Sequence, residues 1–340
     1  MPRKVGRVAA IGLITAVSTL ALDASACSRI LSNTNGQATV VGRTMDLDRS
    51  DHGRLAVIPR GIERVSETGE KTPLRWTSKY GSVAVTSNGN ATDGMNEKGL
   101  VVNLLYLGDT SYGSHDRRPA LANLHWAQYV LDNFGTVQEA VDGLASVRIV
   151  PVADEGVQWP LHLSISDASG DSAIFEYVDG KQVVHHGREF TVMTNEPPLD
   201  IQLRNLRNYR LFGGTRAMPG DIDPGSRFVR AASYLKTLPP ARDVEQAIAD
   251  VQAIARNVAT PRGAKDTSGS EAADAWPTLW STLGDSTNRR YFFHSADSPY
   301  MYWVDLDRID FGDSGSARTI DAYDRSLRGD ITGQLLGGAS

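Results

Sequence analysis

The sequence predicts an α+β protein in which two β-sheets lie between layers of helices. Three observations support this fold class. Runs rich in Val, Ile, Thr and aromatic residues recur along the chain and are typical of strands. Segments with apolar residues at helical spacing occur in blocks between these runs. Asp179-Gly180, flanked by two strand-like runs, indicates a tight hairpin turn. Periodicity alone leaves the order of the strands in the sheets open.

The strand prediction covers ten segments, and the last two form a second hairpin near the C-terminal end. In chain order, the predicted strands are Ala38–Asp46, Arg54–Ile58, Gly81–Thr86, Gly99–Leu107, Leu161–Ser166, Ser172–Val178, Gln182–His185, Phe190–Thr194, Tyr291–Ser295 and Tyr300–Leu306.

Four helices are predicted, two of them with a recognisable N-terminal cap. Thr136 with Glu139 three residues on resembles a capping box, and Asp243 is an N-cap residue before a run with helical spacing. Thr260–Asp274 is rich in Gly, Ser, Ala and charge and is predicted to be a surface loop. The predicted helices are Ala120–Asn133, Thr136–Ala145, Arg227–Leu235 and Asp243–Asn257.

The N-terminus has the three parts of a secretory signal peptide. Three basic residues lie within the first seven positions, Val8–Leu22 is largely apolar, and Ala24-Ser25-Ala26 supplies the small residues that a signal peptidase requires. We therefore expect residues 1–26 to be removed and residues 27–340 to form one mature domain. No other stretch approaches the roughly 20 apolar residues of a membrane span. The mature protein is expected to be periplasmic or secreted, without membrane association.

Composition narrows the class of function further. The formal net charge is −5, and the chain shows no cluster of Lys and Arg that would favour nucleic acid or an anionic membrane. A single cysteine, Cys27, excludes an intrachain disulfide, although exported proteins commonly use cysteines in pairs. A buried, inert thiol fits poorly with a position at the processed terminus. The cysteine therefore invites a chemical explanation.

An N-terminal cysteine combines a nucleophile and a base in one residue. A free thiol has a pKa near 8.5 and is mostly protonated at neutral pH, whereas an α-amino group has a reference pKa of about 7.7–8.0. After cleavage, the amino group of Cys27 can accept the thiol proton without a separate histidine. Asp46 is placed to orient this amino group, and Arg43 is placed to favour the thiolate through its charge. On their own, Arg43 and Asp46 fit an ordinary strand-end ion pair better, and their position after a terminal cysteine reverses that preference.

A set of motifs resembles the choloylglycine hydrolase family, which includes bile salt hydrolases and penicillin V acylases. The motifs follow the family's order from Cys27 to about Leu306, so the resemblance covers nearly the whole mature chain. They are Cys27-Ser28-Arg29, Gly42-Arg43-Thr44-Met45-Asp46, Gly94-Met95-Asn96-Glu97-Lys98-Gly99-Leu100, Met193-Thr194-Asn195-Glu196-Pro197, Ser226-Arg227-Phe228-Val229-Arg230 and Ser298-Pro299 with Trp303-Val304-Asp305-Leu306.

The resemblance implies a four-layer αββα sandwich of two antiparallel sheets, the fold of N-terminal nucleophile hydrolases. It implies that Cys27 attacks an amide carbonyl and that the Asn195 side chain and the Tyr106 backbone N–H stabilise the oxyanion. Arg227 would join the charged network around the thiol, with Arg230 as the alternative. Without the resemblance, Asn195 reads as a turn residue and Tyr106 as a packed aromatic. No cofactor or metal is implied.

The implied substrate is a small linear amide with an apolar acyl group. Within the family that this chain resembles, bile salt hydrolases carry an Asn at the position of Tyr106 and penicillin V acylases carry a Tyr. Tyr106 therefore favours the penicillin V acylases. Acyl-homoserine lactones and conjugated bile salts stay open as substrates. Leu47, Leu105 and Leu107 could line an acyl pocket or belong to the core. The stretch between Asn195 and Arg227 is shorter than in bile salt hydrolases, and a homo-oligomeric state is left open.

Two other functions use the same cysteine differently. Ala24-Ser25-Ala26-Cys27 loosely fits a lipoprotein processing site, which would make the protein a lipid-anchored binding module. Such a site usually has Leu three places before the cysteine, where this chain has Ala24. A catalytically silent relative that serves as a periplasmic binding domain is the second alternative.

Overall fold

The computed structural model describes residues 27–267, 273–312 and 317–335. The predicted signal peptide, residues 1–26, lies outside these ranges, so its removal and the single mature domain stay predictions. Within the described ranges, no helix combines the length and apolar character needed to cross a membrane.

One large sheet holds the N-terminal strand between two strands from distant parts of the chain. Among the described residues it has seven strands, antiparallel except for a short parallel strand at one edge. Ser28 lies opposite both Thr194 and Thr44, so the start of the first strand meets the ends of its two neighbours. In sheet order the strands are Val192–Thr194, Ser28–Ser32, Val40–Asp46, Thr278–Asp285, Arg290–Ser295, Met301–Asp305 and Gly329–Asp330.

The second large sheet is antiparallel throughout its eight described strands. Asp179 and Gly180 join two of them in a hairpin, both with positive φ, as a two-residue turn with the twist of its flanking strands requires. In sheet order the strands are Lys181–His186, Ser172–Val178, Leu161–Ser166, Val101–Tyr106, Asn90–Asn96, Ser82–Ser87, Arg54–Ile58 and Arg318–Asp321.

Helices cover the outer face of each sheet. The described α-helices are α1 (Trp126–Asn133), α2 (Val137–Leu144), α3 (Leu199–Leu206), α4 (Pro224–Thr237), α5 (Val244–Val258) and α6 (Thr332–Leu335). Helices α4 and α5 pack on the seven-stranded sheet, and α1 and α2 pack on the eight-stranded sheet.

Two glycines allow these layers to approach closely. A Cβ at Gly42 would come within 2.8 Å of Val251 in α5, and one at Gly284 would come within 2.9 Å of Val101 in the facing sheet. The order of layers is therefore helices, sheet, sheet, helices, and it confirms the predicted αββα sandwich.

Short elements complete the described chain. Three 3₁₀ turns lie at Asn123–His125, Arg210–Phe212 and Leu306–Arg308. The remaining strands form small two-stranded pairs, Ala120–Ala122 with Arg148–Val150, Ala153–Asp154 with Val157–Gln158, Glu63–Val65 with Arg75–Thr77, and Lys265–Asp266 with Ala273–Asp274. The last pair lies within the predicted surface loop Thr260–Asp274, of which residues 268–272 are outside the described ranges.

All ten predicted strands are present with bounds within two residues of those predicted. Three long strands were not predicted: Ser28–Ser32, Asn90–Asn96 and Thr278–Asp285. The polar residues of Asn90–Asn96 obscure its pattern, because Asp93 is buried and binds across the two sheets. Its carboxylate accepts hydrogen bonds from Thr282 and Tyr291 of the facing sheet.

The helix predictions need three corrections. The predicted helix Ala120–Asn133 is α-helical only from Trp126, because Ala120–Ala122 pairs in parallel with Arg148–Val150 and Asn123–His125 is a 3₁₀ turn. Helix α4 begins at Pro224, three residues before the predicted start, with Asp223 accepting from the Ser226 N–H. An Asp-Pro pair is a recognised helix start. Helices α3 and α6 were missed, and the N-cap residue of α3, Pro198, has no capping side chain.

Both predicted N-caps are present. Thr136 Oγ1 accepts from the Glu139 N–H over 3.2 Å, and Asp243 Oδ1 accepts from the Gln246 N–H over 2.7 Å. The Glu139 carboxylate accepts from Gly135 N–H, one residue before the partner that a capping box uses.

Candidate active site

Cys27 immediately precedes the strand Ser28–Ser32 and is 3% exposed. Its thiol lies among side chains and backbone of the neighbouring strand. The distances from Cys27 Sγ are 3.9 Å to Arg43 Nη2, 4.0 Å to the Asp46 carbonyl oxygen and 4.0 Å to Met45 Sδ. Antiparallel pairing produces this proximity, because the start of one strand lies beside the end of the other.

Arg43 projects between the two sheets toward the thiol. Its Nη2 donates to the Leu104 carbonyl oxygen over 3.2 Å, and its guanidinium lies 4.4 Å from the centre of the Trp280 ring. A cation over an aromatic face is stabilised by the ring's electron density. Arg43 is therefore a fixed positive charge beside Cys27.

Asp46 ends the same strand and does not form a direct ion pair with Arg43. Its Oδ1 accepts from Thr278 Oγ1 over 2.5 Å. Its Oδ2 is buried and has no hydrogen-bond partner among the described residues. A buried carboxylate oxygen usually accepts a hydrogen bond, so Asp46 Oδ2 is available to accept one from a further donor. Thr278 was not predicted as a site residue, because no local sequence pattern connects it with Asp46.

Asn195 lies at the end of the strand on the other side of Cys27. The Cys27 N–H donates to Asn195 Oδ1 over 2.5 Å, and Asn195 Nδ2 donates to the Tyr106 carbonyl oxygen over 2.7 Å. The Leu107 N–H donates to the Pro160 carbonyl oxygen, next to the strand Leu161–Ser166. In antiparallel pairing, the backbone polar groups of successive residues point to alternate sides of the strand. The N–H and C=O of Tyr106 therefore point away from Leu161–Ser166. The Tyr106 N–H therefore faces the same side as Asn195.

The structure distinguishes the two candidate arginines. Arg227 is fully buried and donates from Nη1 to the Cys27 carbonyl oxygen over 2.6 Å and to Ser28 Oγ over 2.7 Å. Its Nη2 donates to Asn195 Oδ1 over 3.0 Å. Arg230, one turn further along α4, donates to Asn257 and to the Asp221 carbonyl oxygen. Arg227 belongs to the site and Arg230 does not contact it.

Burial dominates the electrostatics of the site. It raises the pKa of the Cys27 thiol above its ordinary value, although the charges of Arg43 and Arg227 oppose the rise. Burial also raises the pKa of Asp46 to about 7, against the opposing effects of Arg227, Thr278 and Arg43. The thiol in this arrangement is protonated at neutral pH, and a nearby base must remove its proton before it can attack.

A cavity of about 100 Å³ opens beside Cys27. Of the three leucines for which either a pocket or a core position was expected, Leu47 lines the cavity. Leu105 and Leu107 are buried and are not part of its lining. An aromatic wall of the cavity was not predicted from the sequence. Tyr106 packs edge-on against two tryptophans, with ring centres 6.5 Å from Trp159 and 6.2 Å from Trp276. Further apolar lining residues are Met45, Leu104, Leu124 and Leu161.

No group of three or more His, Cys, Asp or Glu side chains within residues 27–267, 273–312 and 317–335 has the geometry of a metal site.

Comparison with known proteins identifies the family. The sequence model of linear amide C–N hydrolases, choloylglycine hydrolase family, matches residues 27–321. The penicillin V acylase of Pectobacterium atrosepticum is 38% identical over 324 residues, which covers 87% of this chain and 85% of that protein. The bile salt hydrolase/transferase of Clostridium perfringens is 29% identical over 239 residues, covering 61% of this chain and 70% of that protein.

A solved structure agrees with these sequence relationships. The penicillin V acylase from Agrobacterium tumefaciens has a TM-score of 0.80 and 39% identity, covering 91% of this chain and 96% of that one. Fold and relatives together define a hydrolase of linear amide C–N bonds. The chain belongs to the choloylglycine hydrolase family.

Proposed function

We propose that this protein is an exported amidase in which cleavage after Ala26 makes Cys27 the N-terminal nucleophile. The observation that carries the proposal is the convergence of Arg43, Asp46, Asn195 and Arg227 on one cysteine. The family match begins at residue 27, which supports the same boundary. The signal-like segment before it supports a periplasmic or secreted location.

The freed α-amino group is the proposed general base. Its reference pKa of about 7.7–8.0 lies close to neutral pH, whereas burial keeps the thiol protonated. The nitrogen of Cys27 already donates to Asn195 Oδ1. Asp46 Oδ2, buried and without a described partner, is the natural acceptor for a further amine proton. Arg43 then stabilises the thiolate once the proton has moved.

The reaction proceeds through a thioester. The amine takes the thiol proton as Sγ attacks the amide carbon, and the resulting oxyanion receives hydrogen bonds from Asn195 Nδ2 and the Tyr106 N–H. Asn195 Nδ2 exchanges its present acceptor, the Tyr106 carbonyl oxygen, for the substrate oxygen. The C–N bond breaks as the ammonium returns its proton to the leaving amine. The same amine then deprotonates a water molecule, which adds to the thioester carbon. The C–S bond breaks, the acid leaves, and the ammonium returns its proton to the Sγ thiolate.

The proposed substrate is an amide like penicillin V, with an apolar acyl group. A relative at 38% identity is named penicillin V acylase. The aromatic wall of Tyr106, Trp159 and Trp276 supports an aromatic acyl group, since edge-on and stacked rings are favourable partners. Acyl-homoserine lactones and conjugated bile salts are the further substrates that we propose to test.

The buried thiol supports catalysis over lipid anchoring. A lipid on Cys27 Sγ would have to occupy a position that is 3% exposed and surrounded by Arg43, Met45 and Asp46. Lipidation would also remove the nucleophile and leave this convergence of side chains without a role.

A hydrolysis panel on the secreted protein tests the proposal. It contains penicillin V, glycine- and taurine-conjugated bile salts and long-chain acyl-homoserine lactones, with Cys27→Ala as the matched inactive control. We expect release of amine from at least one substrate, none from the variant, and an intact mass that begins at an unmodified Cys27. Full activity of a protein that retains residues upstream of Cys27 would refute the mechanism.

A further inference from the structure

A buried acid lies between two histidines outside the site described above. Glu176 is on the strand Ser172–Val178 and is 1% exposed, and His162 beside it is fully buried. The contacts are 3.4 Å from Glu176 Oε1 to His162 Nδ1 and 3.5 Å from Oε2 to His185 Nε2. The mechanism proposed above uses none of these three residues.

Glu176 also binds the N-terminus of α3. Both of its carboxylate oxygens lie 3.1 Å from the Leu199 backbone nitrogen. Pro198, the N-cap residue of this helix, has no side chain that could do so. A carboxylate at a helix N-terminus is favourable, because the free N–H groups and the helix dipole carry positive charge there. Glu176 thus caps helix α3 from the strand Ser172–Val178.

Helix α3 in turn holds the backbone around Asn195. Gln202 Nε2 donates to the Glu196 carbonyl oxygen over 3.2 Å and lies 3.3 Å from Thr194 Oγ1. Leu199 follows Asn195 by four residues. The segment from Thr194 to Leu199 is therefore held at both ends. Glu176 binds its last residue, Leu199, and Gln202 binds Thr194 and Glu196 near its beginning.

We propose that Glu176 is a positioning residue for catalysis: by capping α3 it holds the segment that carries Asn195 in place for the oxyanion. The inference rests on the proposed function, since it takes Asn195 as the oxyanion donor. Glu176 acts through the backbone and does not touch the substrate. A displacement of about 1 Å in such a donor can cost about 100-fold in rate.

The charge state of Glu176 suits this role. Burial by itself raises the pKa of Glu176, but its contacts with His162, His185 and the Leu199 N–H outweigh that effect and lower the value to about 2. The carboxylate consequently stays ionised at every pH at which the enzyme is expected to work. A neutral amide of the same shape cannot offer two oxygens to the Leu199 N–H.

A double-mutant cycle with Asn195 tests the proposal. On the substrate of the panel that the wild type cleaves fastest, Glu176→Gln should lower kcat by about tenfold to 100-fold with KM within about twofold. In an Asn195→Ala background the same substitution should change kcat by less than about twofold, because the displaced donor is already absent. An equal loss of kcat in both backgrounds would overturn the proposal.

Asp132→Asn is the matched control. Asp132 is another fully buried carboxylate, and it binds Trp76, Gln128 and Arg64 on the other side of the eight-stranded sheet. Its loss should reduce stability and leave kcat within about twofold of the wild type after correction for folded protein. A fall in kcat equal to that of Glu176→Gln would assign both effects to general destabilisation.

Hydrogen exchange gives a readout that does not depend on activity. Glu176→Gln, and Glu176→Ala if the first variant changes little, should speed exchange of the Leu199–Leu206 amides about tenfold, as expected for one lost hydrogen bond. Asp132→Asn should leave these amides unchanged. If the wild type cleaves no amide, the proposed function fails while this measurement still decides whether Glu176 holds the segment. Unchanged exchange in both Glu176 variants would overturn the positioning role.

Discussion

The backbone nitrogen of Cys27 lies 2.5 Å from Asn195 Oδ1, so the proposed nucleophile and the proposed oxyanion donor share a hydrogen bond across neighbouring strands. The two residues are 168 positions apart in the chain. The same amide of Asn195 contacts Arg227 and Tyr106, so a single side chain connects three elements of the site. This connection gives the site several positions at which substitution has a defined expected effect.

Cys27→Ser should lower kcat/KM by at least about 100-fold. A hydroxyl is far less ionised than a thiol at neutral pH, and loss of a nucleophile is among the largest single losses in comparable enzymes. The measurement is hydrolysis of the best substrate of the panel, with intact mass to verify cleavage before residue 27. Retention of full turnover by this variant would exclude Cys27 as the nucleophile.

Asn195→Ala should lower kcat by about 10²–10³ with little change in KM. Loss of one oxyanion donor has an effect of this size because the bond strengthens only in the transition state. Steady-state kinetics with a folded-state check by circular dichroism provides the measurement. A rise in KM at unchanged kcat would assign Asn195 to ground-state binding instead.

Arg227→Gln should shift the alkylation of Cys27 by iodoacetamide to higher pH. Arg227 lowers the pKa of the thiol through its charge, and its removal leaves burial less opposed. Arg230→Gln is the matched control on the same helix, since Arg230 binds Asn257 and Asp221 rather than the site. Equal shifts in the two variants would contradict the assignment of Arg227 to the network around Cys27.

Trp276→Ala should raise KM for aromatic acyl amides about tenfold and change kcat much less. The ring packs on Tyr106 at the cavity wall, and an aromatic contact with its burial contributes of the order of 1–2 kcal/mol. Trp303→Ala serves as the control, because Trp303 lies on the strand Met301–Asp305 and is not part of the lining of this cavity. A similar rise in KM for both variants would remove Trp276 from substrate recognition.

Glu176→Gln should reduce stability in a pH-dependent manner. The pKa of Glu176 is lowered to about 2 in the folded protein, so its contribution is present above the ordinary value near 4.5 and is lost as the pH falls through about 2. The free energy of unfolding of the wild type should exceed that of the variant by up to about 3 kcal/mol at pH 7. This difference should disappear between about pH 4.5 and 2. Urea unfolding across this range measures it.

For Asp132→Asn, the stability difference between wild type and variant should change with pH in the opposite direction. Burial raises the pKa of Asp132, so the folded wild type takes up a proton as the pH falls and gains stability relative to the variant. A gap that closes on acidification for both variants would show that the effect does not arise from Glu176.

Much of the framework could be predicted from the residues. Ten strands and both capped helices followed from composition and spacing, and the two-residue turn at Asp179-Gly180 has the positive φ values that its sequence requires. Cys27 stood out as a lone cysteine beside a processing signal. The family, the fold class and the linear amide hydrolase activity are confirmed. Export, the nucleophile and the substrate remain proposals.

Features that depend on contacts between residues far apart in the chain became visible only in the tertiary structure. The strand Asn90–Asn96 looks polar because Asp93 binds Thr282 and Tyr291 from the other sheet, and α3 lacks a local cap because Glu176 supplies it. In the same way, Thr278 binds Asp46 from a strand 232 residues away, and Arg227 rather than Arg230 contacts Cys27. Local patterns record which face a residue prefers. They contain no information about a partner that only folding brings within a few ångströms.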